Sequence, residues 1–304
     1  MKILITGANG LLGQHLVKLL LDTTDHEIIA TSKREPRLVL QDSRLHYYSL
    51  DITDGMAVDL LLEKLQPDTI IHCAALTQVD ECEQQPIKAW EINVTATRFI
   101  VDAAKKINAF VIFVSTDFVF DGLSGPYKEE DTVNPVSYYG STKVAAEKAL
   151  TESGPPYAIA RTCLLYGNIL FGTRSNVISW VKENLEQGKT IKVVSDQWRT
   201  PTYVEDLAKG ILLIAEKKAV GLFHISGKDF LSPYDMAMAT ADYLHLDKSL
   251  IEKVDASVFT QPAKRPATTG FVIDKAKEVL NYSPLSFTEG LKKMLPLPPT
   301  SKGG

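Results

Sequence analysis

The first thirteen residues constrain the fold more than any other stretch. Residues 2–6 read Lys-Ile-Leu-Ile-Thr, a short apolar run suited to a buried strand. Gly7, Gly10 and Gly13 follow in the frame Gly-x-x-Gly-x-x-Gly, and Leu11, Leu12, Leu16, Leu19 and Leu20 then recur at helical spacing. The glycines thus lie between a strand and a helix, where a dinucleotide diphosphate can bind. Their missing Cβ allows a tight turn and close backbone approach, and the first helical amides can donate to the anion. Glycine turns are common, so the flanking strand and helix give the motif its weight.

The rest of the first half repeats this alternation. Strands are expected at 27–31, 46–50, 69–73, 110–114 and from 158 to 161, and helices at 56–65, 87–106 and 137–150. Apolar strands alternating with amphipathic helices predict an α/β, Rossmann-like, doubly wound parallel sheet with helices on both faces. The second strand runs into Ser32, Lys33 and Arg34, where such folds meet the adenine ribose. A hydroxyl and two cations there favour a 2′-phosphate, and so NADPH, with NADH the alternative; a solvated basic turn is the other reading. The fourth strand ends in Ala74 and Ala75, small enough for close passage of a cofactor. Asn93, inside an apolar helix, reads as a tie between neighbouring backbone segments.

From about residue 164 the pattern loosens. Helices are expected at 176–186, 204–216, 233–244 and 287–294, and short strands near 191–194 and 222–225. The division expected is a dinucleotide-binding domain over 1–163, a smaller, mainly substrate-binding C-terminal lobe over 164–295 with some segments returning to the core, and a mobile tail over 296–304. Charge sets limits on partners. A net charge of -4 argues against a general grip on nucleic acid. No apolar run nears the roughly 20 residues of a membrane span, and the N-terminal run belongs to the cofactor motif rather than to a signal peptide. Cys73, Cys82 and Cys163 lack zinc or redox spacing and read as small buried groups in a reducing compartment. No carboxylate cluster suggests a metal. A soluble, cytoplasmic protein without nucleic-acid or membrane partners is expected.

Chemistry is carried by Tyr139 and Lys143, spaced Tyr-x-x-x-Lys, which places both on one helix face. A nearby ammonium is expected to favour phenolate and lower the tyrosine's proton affinity, making it an acid or base near neutral pH. Ser115 and Thr116 close the preceding strand at the carboxyl edge, where a hydroxyl could hold a carbonyl oxygen beside the tyrosine. Alone, the tyrosine–lysine pair would read as ordinary packing; beside the glycine loop and the hydroxyl strand end it reads as a catalytic set.

Gly7-Ala8-Asn9-Gly10-Leu11-Leu12-Gly13, Asp51-Ile52, Asn93, Ser115-Thr116-Asp117 and Tyr139-x-x-x-Lys143 together resemble the extended short-chain dehydrogenase/reductases. Within them the chain is most similar to the dTDP-4-dehydrorhamnose reductase family. That likeness rests on residues 115–122 and 139–143, Arg161-Thr162, Asp196-Gln197 with Pro201-Thr202, and Arg265-Pro266. It covers residues 2 to about 295. The resemblance implies reduction of a nucleotide-activated 4-keto sugar, dTDP-4-dehydrorhamnose to dTDP-rhamnose, and a homodimer. It makes Thr116, Tyr139 and Lys143 catalytic. It assigns Gly7, Asn9, Gly10, Leu11, Leu12, Gly13, Ser32, Lys33, Arg34, Asp51, Ile52, Ala74, Ala75, Leu76, Asn93 and Ser115 to the cofactor, together with Tyr139 and Lys143. Thr116, Gln197, Arg199 and Arg265 would meet the substrate, the arginines as forks for its diphosphate.

The departures fall in the substrate half. Phe118 replaces a frequent tyrosine, Leu164 stands where relatives carry a tryptophan against the sugar, and Trp198-Arg199-Thr200 is bulkier than usual. Two other readings stay open. One is a sugar-nucleotide epimerase or dehydratase of the same superfamily, although Phe118 is not the acid a dehydratase pair needs. The other is a non-catalytic nucleotide-binding regulatory subunit, such as the β subunit of methionine adenosyltransferase.

Overall fold

The computed structural model describes residues 1–37, 40–172 and 176–296. Its elements run β1 (Lys2–Thr6), α1 (Leu11–Thr23), β2 (Glu27–Ser32), β3 (Leu45–Ser49), α2 (Gly55–Leu65), β4 (Thr69–His72), α3 (Val79–Gln84), α4 (Pro86–Trp90), α5 (Ala96–Lys106), β5 (Phe110–Thr116), α6 (Tyr138–Ser153) and β6 (Tyr157–Thr162). The second half adds β7 (Leu165–Tyr166), α7 (Val177–Glu186), β8 (Ile191–Val194), β9 (Thr202–Tyr203), α8 (Val204–Lys217), β10 (Gly221–His224), α9 (Pro233–Tyr243), β11 (Ile251–Val254), α10 (Asp274–Leu280) and α11 (Phe287–Met294).

Seven strands form one parallel sheet in the order β10-β6-β5-β4-β1-β2-β3. Strand alternation explains the continuous apolar runs. Ile3 and Ile5 face a core completed by Leu16, Leu20, Leu207 and Ile211 of α1 and α8. Leu4 points the other way, into Val58, Leu62, Ile100 and Leu150 of α2, α5 and α6. A strand buried on both faces can afford no polar alternation. The order reverses between β1 and β4, and a crevice opens there at the carboxyl ends of the strands.

One helix departs from expectation. The helix expected over 87–106 is interrupted by a π-helical turn at Glu91–Thr95, whose extra residue lies around buried Asn93. The strand expected near 222–225 is β10, which returns to the main sheet beside β6. Outside that sheet, β8 pairs with β11 over a small core of Val181, Leu185, Ile191, Val193, Ala237 and Ala241. The expected tail lies, past residue 296, outside the described residues. Among the described residues no helix is long and apolar enough to cross a membrane.

Candidate active site

A cleft of about 700 Å³ runs along the carboxyl ends of β1, β2, β4 and β5. Its floor is the glycine loop. Gly7 sits at φ +70°, and a Cβ on it would lie 2.9 Å from the backbone of Ala74; one on Gly13 would lie 2.7 Å from Ala8 Cα. Both positions therefore exclude side chains, so the loop packs tightly against the β4 end. Helix α1 starts at Gly10 without a side-chain cap and with no acid in its first turn. Its first amides are left for an anion. This cradle fits a dinucleotide diphosphate.

The adenosine end is bounded by Ser32, Lys33, Asp51 and Ile52. Lys33 Nζ lies 2.6 Å from Asp51 Oδ2. That contact, with hydrogen bonds from Thr53, holds the Asp51 carboxyl below the usual range. Asn9 and Arg34 lie beside the cleft rather than among its described lining residues. The Asn9 amide donates to Ser32 Oγ at 3.0 Å and Glu35 O at 2.9 Å, and its oxygen accepts from Arg37 N at 2.8 Å. Asn9 thereby shapes the basic turn. Arg34 is exposed.

Ala74, Ala75 and Cys73 form the wall beneath the reactive end. Leu76 and Asn93 stand behind it: Leu76 N donates to Asn93 Oδ1 at 2.8 Å, and Asn93 Nδ2 donates to Leu76 O and Thr142 Oγ1, each at 3.0 Å. A buried polar chain continues from there. Thr97 Oγ1 donates to Asn93 O and contacts His72 Nε2, while Thr6 Oγ1 contacts His72 Nδ1 and accepts from Cys73 N and Ala74 N. The ties run from the glycine-loop strand to the tyrosine helix, consistent with the structural part of the expectation for Asn93.

Thr116, Tyr139 and Lys143 meet at one end of the cleft. Ser137 caps α6 by accepting from Gly140 N at 3.2 Å, fixing where the helix begins and hence where Tyr139 points. The Thr116 hydroxyl lies close enough to Tyr139 to favour its ionised form. Thr116 Oγ1 donates to Asp117 Oδ1 at 3.1 Å and accepts from Phe118 N at 3.3 Å. Lys143 Nζ donates to Val114 O at 2.8 Å and lies 3.9 Å from the Phe113 ring centroid. The electrostatics correct the expectation of an easily ionised phenol. Burial pushes the Tyr139 hydroxyl above its ordinary range, opposed by Thr116 and reinforced by Asp117 and Cys82. Burial pulls Lys143 down to about 7, opposed by Glu147. The cysteines are unpaired, and burial pushes Cys73 up to about 12 and Cys82 up to about 11.

Ser115 lines the cleft, but its hydroxyl donates to Glu147 Oε1 at 2.5 Å. Two residues expected at the substrate are engaged by the protein itself. Arg199 is buried: it donates to the carbonyls of Trp198, Ala267 and Pro266, and its Nε lies 3.4 Å from Asp117 Oδ2. Its Nη1, Nη2 and Nε are each engaged by the fold, and Asp117 also takes the Thr269 hydroxyl. Arg265 forms a bidentate pair with Asp80, Nη1–Oδ1 3.0 Å and Nη2–Oδ2 2.7 Å. As placed, its fork faces a carboxylate. Gln197 is half-buried and, like Arg199 and Arg265, is not among the described residues lining the cleft.

Sequence reasoning missed the apolar wall of Val79, Ile92, Leu165, Ile169 and Val177. It named Phe118 and Leu164 only as departures; both line the cleft, Leu164 at φ +36°. It also missed Glu147, although the spacing that pairs Tyr139 with Lys143 puts Glu147 one turn further along the same face.

Comparison with known proteins agrees with this geometry. A family model described as the RmlD substrate binding domain matches residues 1–297. The dTDP-4-dehydrorhamnose reductase of Aggregatibacter actinomycetemcomitans is 32% identical over 96% of this chain and 98% of its own. The methionine adenosyltransferase 2 subunit beta of Mus musculus is 32% identical over 97% of this chain and 87% of its own. Among solved structures, a dTDP-4-dehydrorhamnose reductase from Clostridium acetobutylicum superposes with a TM-score of 0.86 at 34% identity, covering 97% of this chain and 98% of that one. The Bacillus anthracis dTDP-4-dehydrorhamnose reductase in complex with NADP gives 0.83 at 28% identity, covering 96% and 98%. With the glycine cradle, the parallel sheet and the tyrosine–lysine helix all within the matched residues, this chain belongs to the RmlD substrate-binding domain family.

Proposed function

We propose that the chain is an NADPH-dependent reductase that converts dTDP-4-dehydrorhamnose, a nucleotide-activated 4-keto sugar, to dTDP-rhamnose. The observation that carries this reading is the convergence of Thr116, Tyr139 and Lys143 on the cleft whose floor is the glycine cradle. The similarity to two dTDP-4-dehydrorhamnose reductases, and to one in complex with NADP, supports it.

Gly7, Gly10, Gly13 and the first turn of α1 would hold the cofactor diphosphate. Ser32 and Lys33 would take a 2′-phosphate, Lys33 leaving Asp51 to do so, and Ala74, Ala75 and Lys143 would border the nicotinamide half. When bound, the nicotinamide supplies the hydride equivalent for the keto carbon. Tyr139 supplies the proton to the keto oxygen. A phenol kept protonated by burial is the resting form a reductase's acid requires, since it gives up its proton only to a strongly basic alkoxide. Thr116, anchored by Asp117 and the Phe118 amide, holds the Tyr139 hydroxyl in line. Lys143 stabilises the phenolate left behind. Residues 1–163 would serve as the cofactor side and 164–295 mainly as the substrate side, with Leu164, Leu165, Ile169 and Val177 facing the sugar. This reading places the enzyme in the cytoplasm as a homodimer, the latter checked by sedimentation of the purified chain.

A second reading, a nucleotide-binding subunit without turnover, is favoured by the Asp80–Arg265 pair and by the mouse relative. The deciding experiment is NADPH oxidation against a panel of 4-keto sugar nucleotides. Turnover with dTDP-4-dehydrorhamnose, yielding dTDP-rhamnose, supports the reductase. Tight NADPH binding with no turnover on any member supports the subunit.

A further inference from the structure

The carboxylate of Glu147 lies behind the catalytic residues, and the chemistry above leaves it unused. Tyr139, Lys143 and Glu147 fall at i, i+4 and i+8 of α6, so they form one stripe facing β5. Adjacent residues of β5 grip the two charged members: the Val114 carbonyl accepts from Lys143 Nζ at 2.8 Å, and the Ser115 hydroxyl donates to Glu147 Oε1 at 2.5 Å. From β6, Arg161 clamps the carboxylate with Nε–Oε1 at 2.9 Å and Nη2–Oε2 at 2.6 Å. Lys143, Glu147 and Arg161 are all buried, at 3%, 6% and 4% exposure.

We propose that Glu147 is a positioning residue: held by Arg161 and Ser115, it supplies the fixed negative charge that keeps Lys143 an ammonium at the dry end of the cleft. An ammonium taken out of water needs an opposite charge nearby. The groups facing Lys143 are Tyr139 and Glu147 on α6, Val114 O and the Phe113 ring on β5, His72 and Cys73 at the β4 end, and Cys82 on α3. Burial keeps His72 and both thiols neutral at neutral pH. Of the groups named, Glu147 is the anion. With Glu147 opposing burial, Lys143 titrates near 7; without it the lysine would lose its proton at lower pH.

The inference that this charge matters for turnover rests on the reductase reading; the charge itself is measured independently of activity. The readout is an NMR titration of ε-13C-lysine-labelled full-length protein, with Lys143 assigned by its absence in Lys143→Met. Removing Glu147 alone would strand a buried guanidinium, so the first variant is Glu147→Gln/Arg161→Met, with Arg161→Met alone as the counterpart. The double variant should lower the Lys143 midpoint by about one pH unit or more. Arg161→Met, which leaves the anion without its clamp, should raise it. Ser115→Ala, which removes only a hydroxyl, should move it least. An unchanged midpoint in the double variant, or shifts of the same sign in both variants that replace Arg161, would overturn the proposal. If turnover is present, the alkaline limb of its pH profile should move with the NMR midpoint; moved midpoints without turnover would sink the reductase reading and leave the Glu147 assignment standing.

Discussion

Replacing Asp80 by Asn tests whether Arg265 is a ligand in waiting or only a strap between distant loops. The substitution is nearly isosteric and keeps an oxygen for the Ala263 amide, now 3.2 Å from Asp80 Oδ1, while removing the charge opposite the guanidinium. The pair is bidentate, yet its side chains are 19% and 38% exposed. Water screens such a pair, so its worth is about 0.5–1 kcal/mol rather than the roughly 1.5–3 of a shielded charge-assisted bond. If substrate diphosphate must displace Asp80 from the fork, Asp80→Asn should lower KM for a dTDP-linked 4-keto sugar by about two- to fivefold, with kcat nearly unchanged. Arg265→Ala should raise KM, and Arg265→Lys should restore only part, since a point charge cannot span two phosphate oxygens. Steady-state kinetics on the three variants, with thermal melts alongside, gives the answer. A KM that rises in Asp80→Asn, or stays fixed while the melting temperature drops, refutes the displacement argument and leaves the pair structural.

Tyr139→Phe should cost about 10²–10⁴-fold in turnover with NADPH affinity nearly intact, because the ring still packs and only the acid is lost; retention of half the activity contradicts the mechanism. NADPH should bind at least about tenfold tighter than NADH, and Lys33→Ala should erase more of that difference than Arg34→Ala, since Lys33 lines the cleft and Arg34 does not; equal wild-type affinities in a fluorescence titration would rule this out. Acid should weaken the fold through His72 and His224, which burial holds down at about 3. Both are neutral in folded and unfolded chains above pH 6.5. As pH falls from 6.5 towards 3 the unfolded chain takes up protons that the folded one refuses, so stability declines by up to about 1.4 kcal/mol per pH unit per histidine. Urea midpoints at pH 7 and 5 should show this loss, and His224→Phe, which keeps a ring against Phe271, should reduce it; identical slopes would refute the assignment.

What could be read from the sequence was local. The glycine frame, the β1 and α1 patterns, and the tyrosine–lysine spacing each depend on residues within a few turns of one another, and periodicity encodes such relations directly. The π-helical turn at Glu91–Thr95 escaped because one added residue leaves the apolar pattern on either side intact. Arg265 and Arg199 were read as free forks because their partners are remote in sequence: Asp80 is 185 residues from Arg265, and Ala267 is 68 from Arg199. Spacing could show that Tyr139 and Lys143 share a face but not that both are buried, and burial decides the direction in which each titrates.

The place of β10 in the sheet bears on how this chain could be recombined. It pairs with β6 through Gly221↔Ala158 to His224↔Arg161, and α8, just before it, packs on α1. A chimera joined near residue 163 would thus take its outermost strand and one covering helix from the donor of the second half. Mismatched donors would leave Tyr157–Thr162 as an open edge, a template for another chain to add a strand. Swaps meant to change the sugar while keeping the cofactor cradle are better made as loop grafts around 164–172 and 195–199, with Val204–His224 kept from the parent that supplies β6.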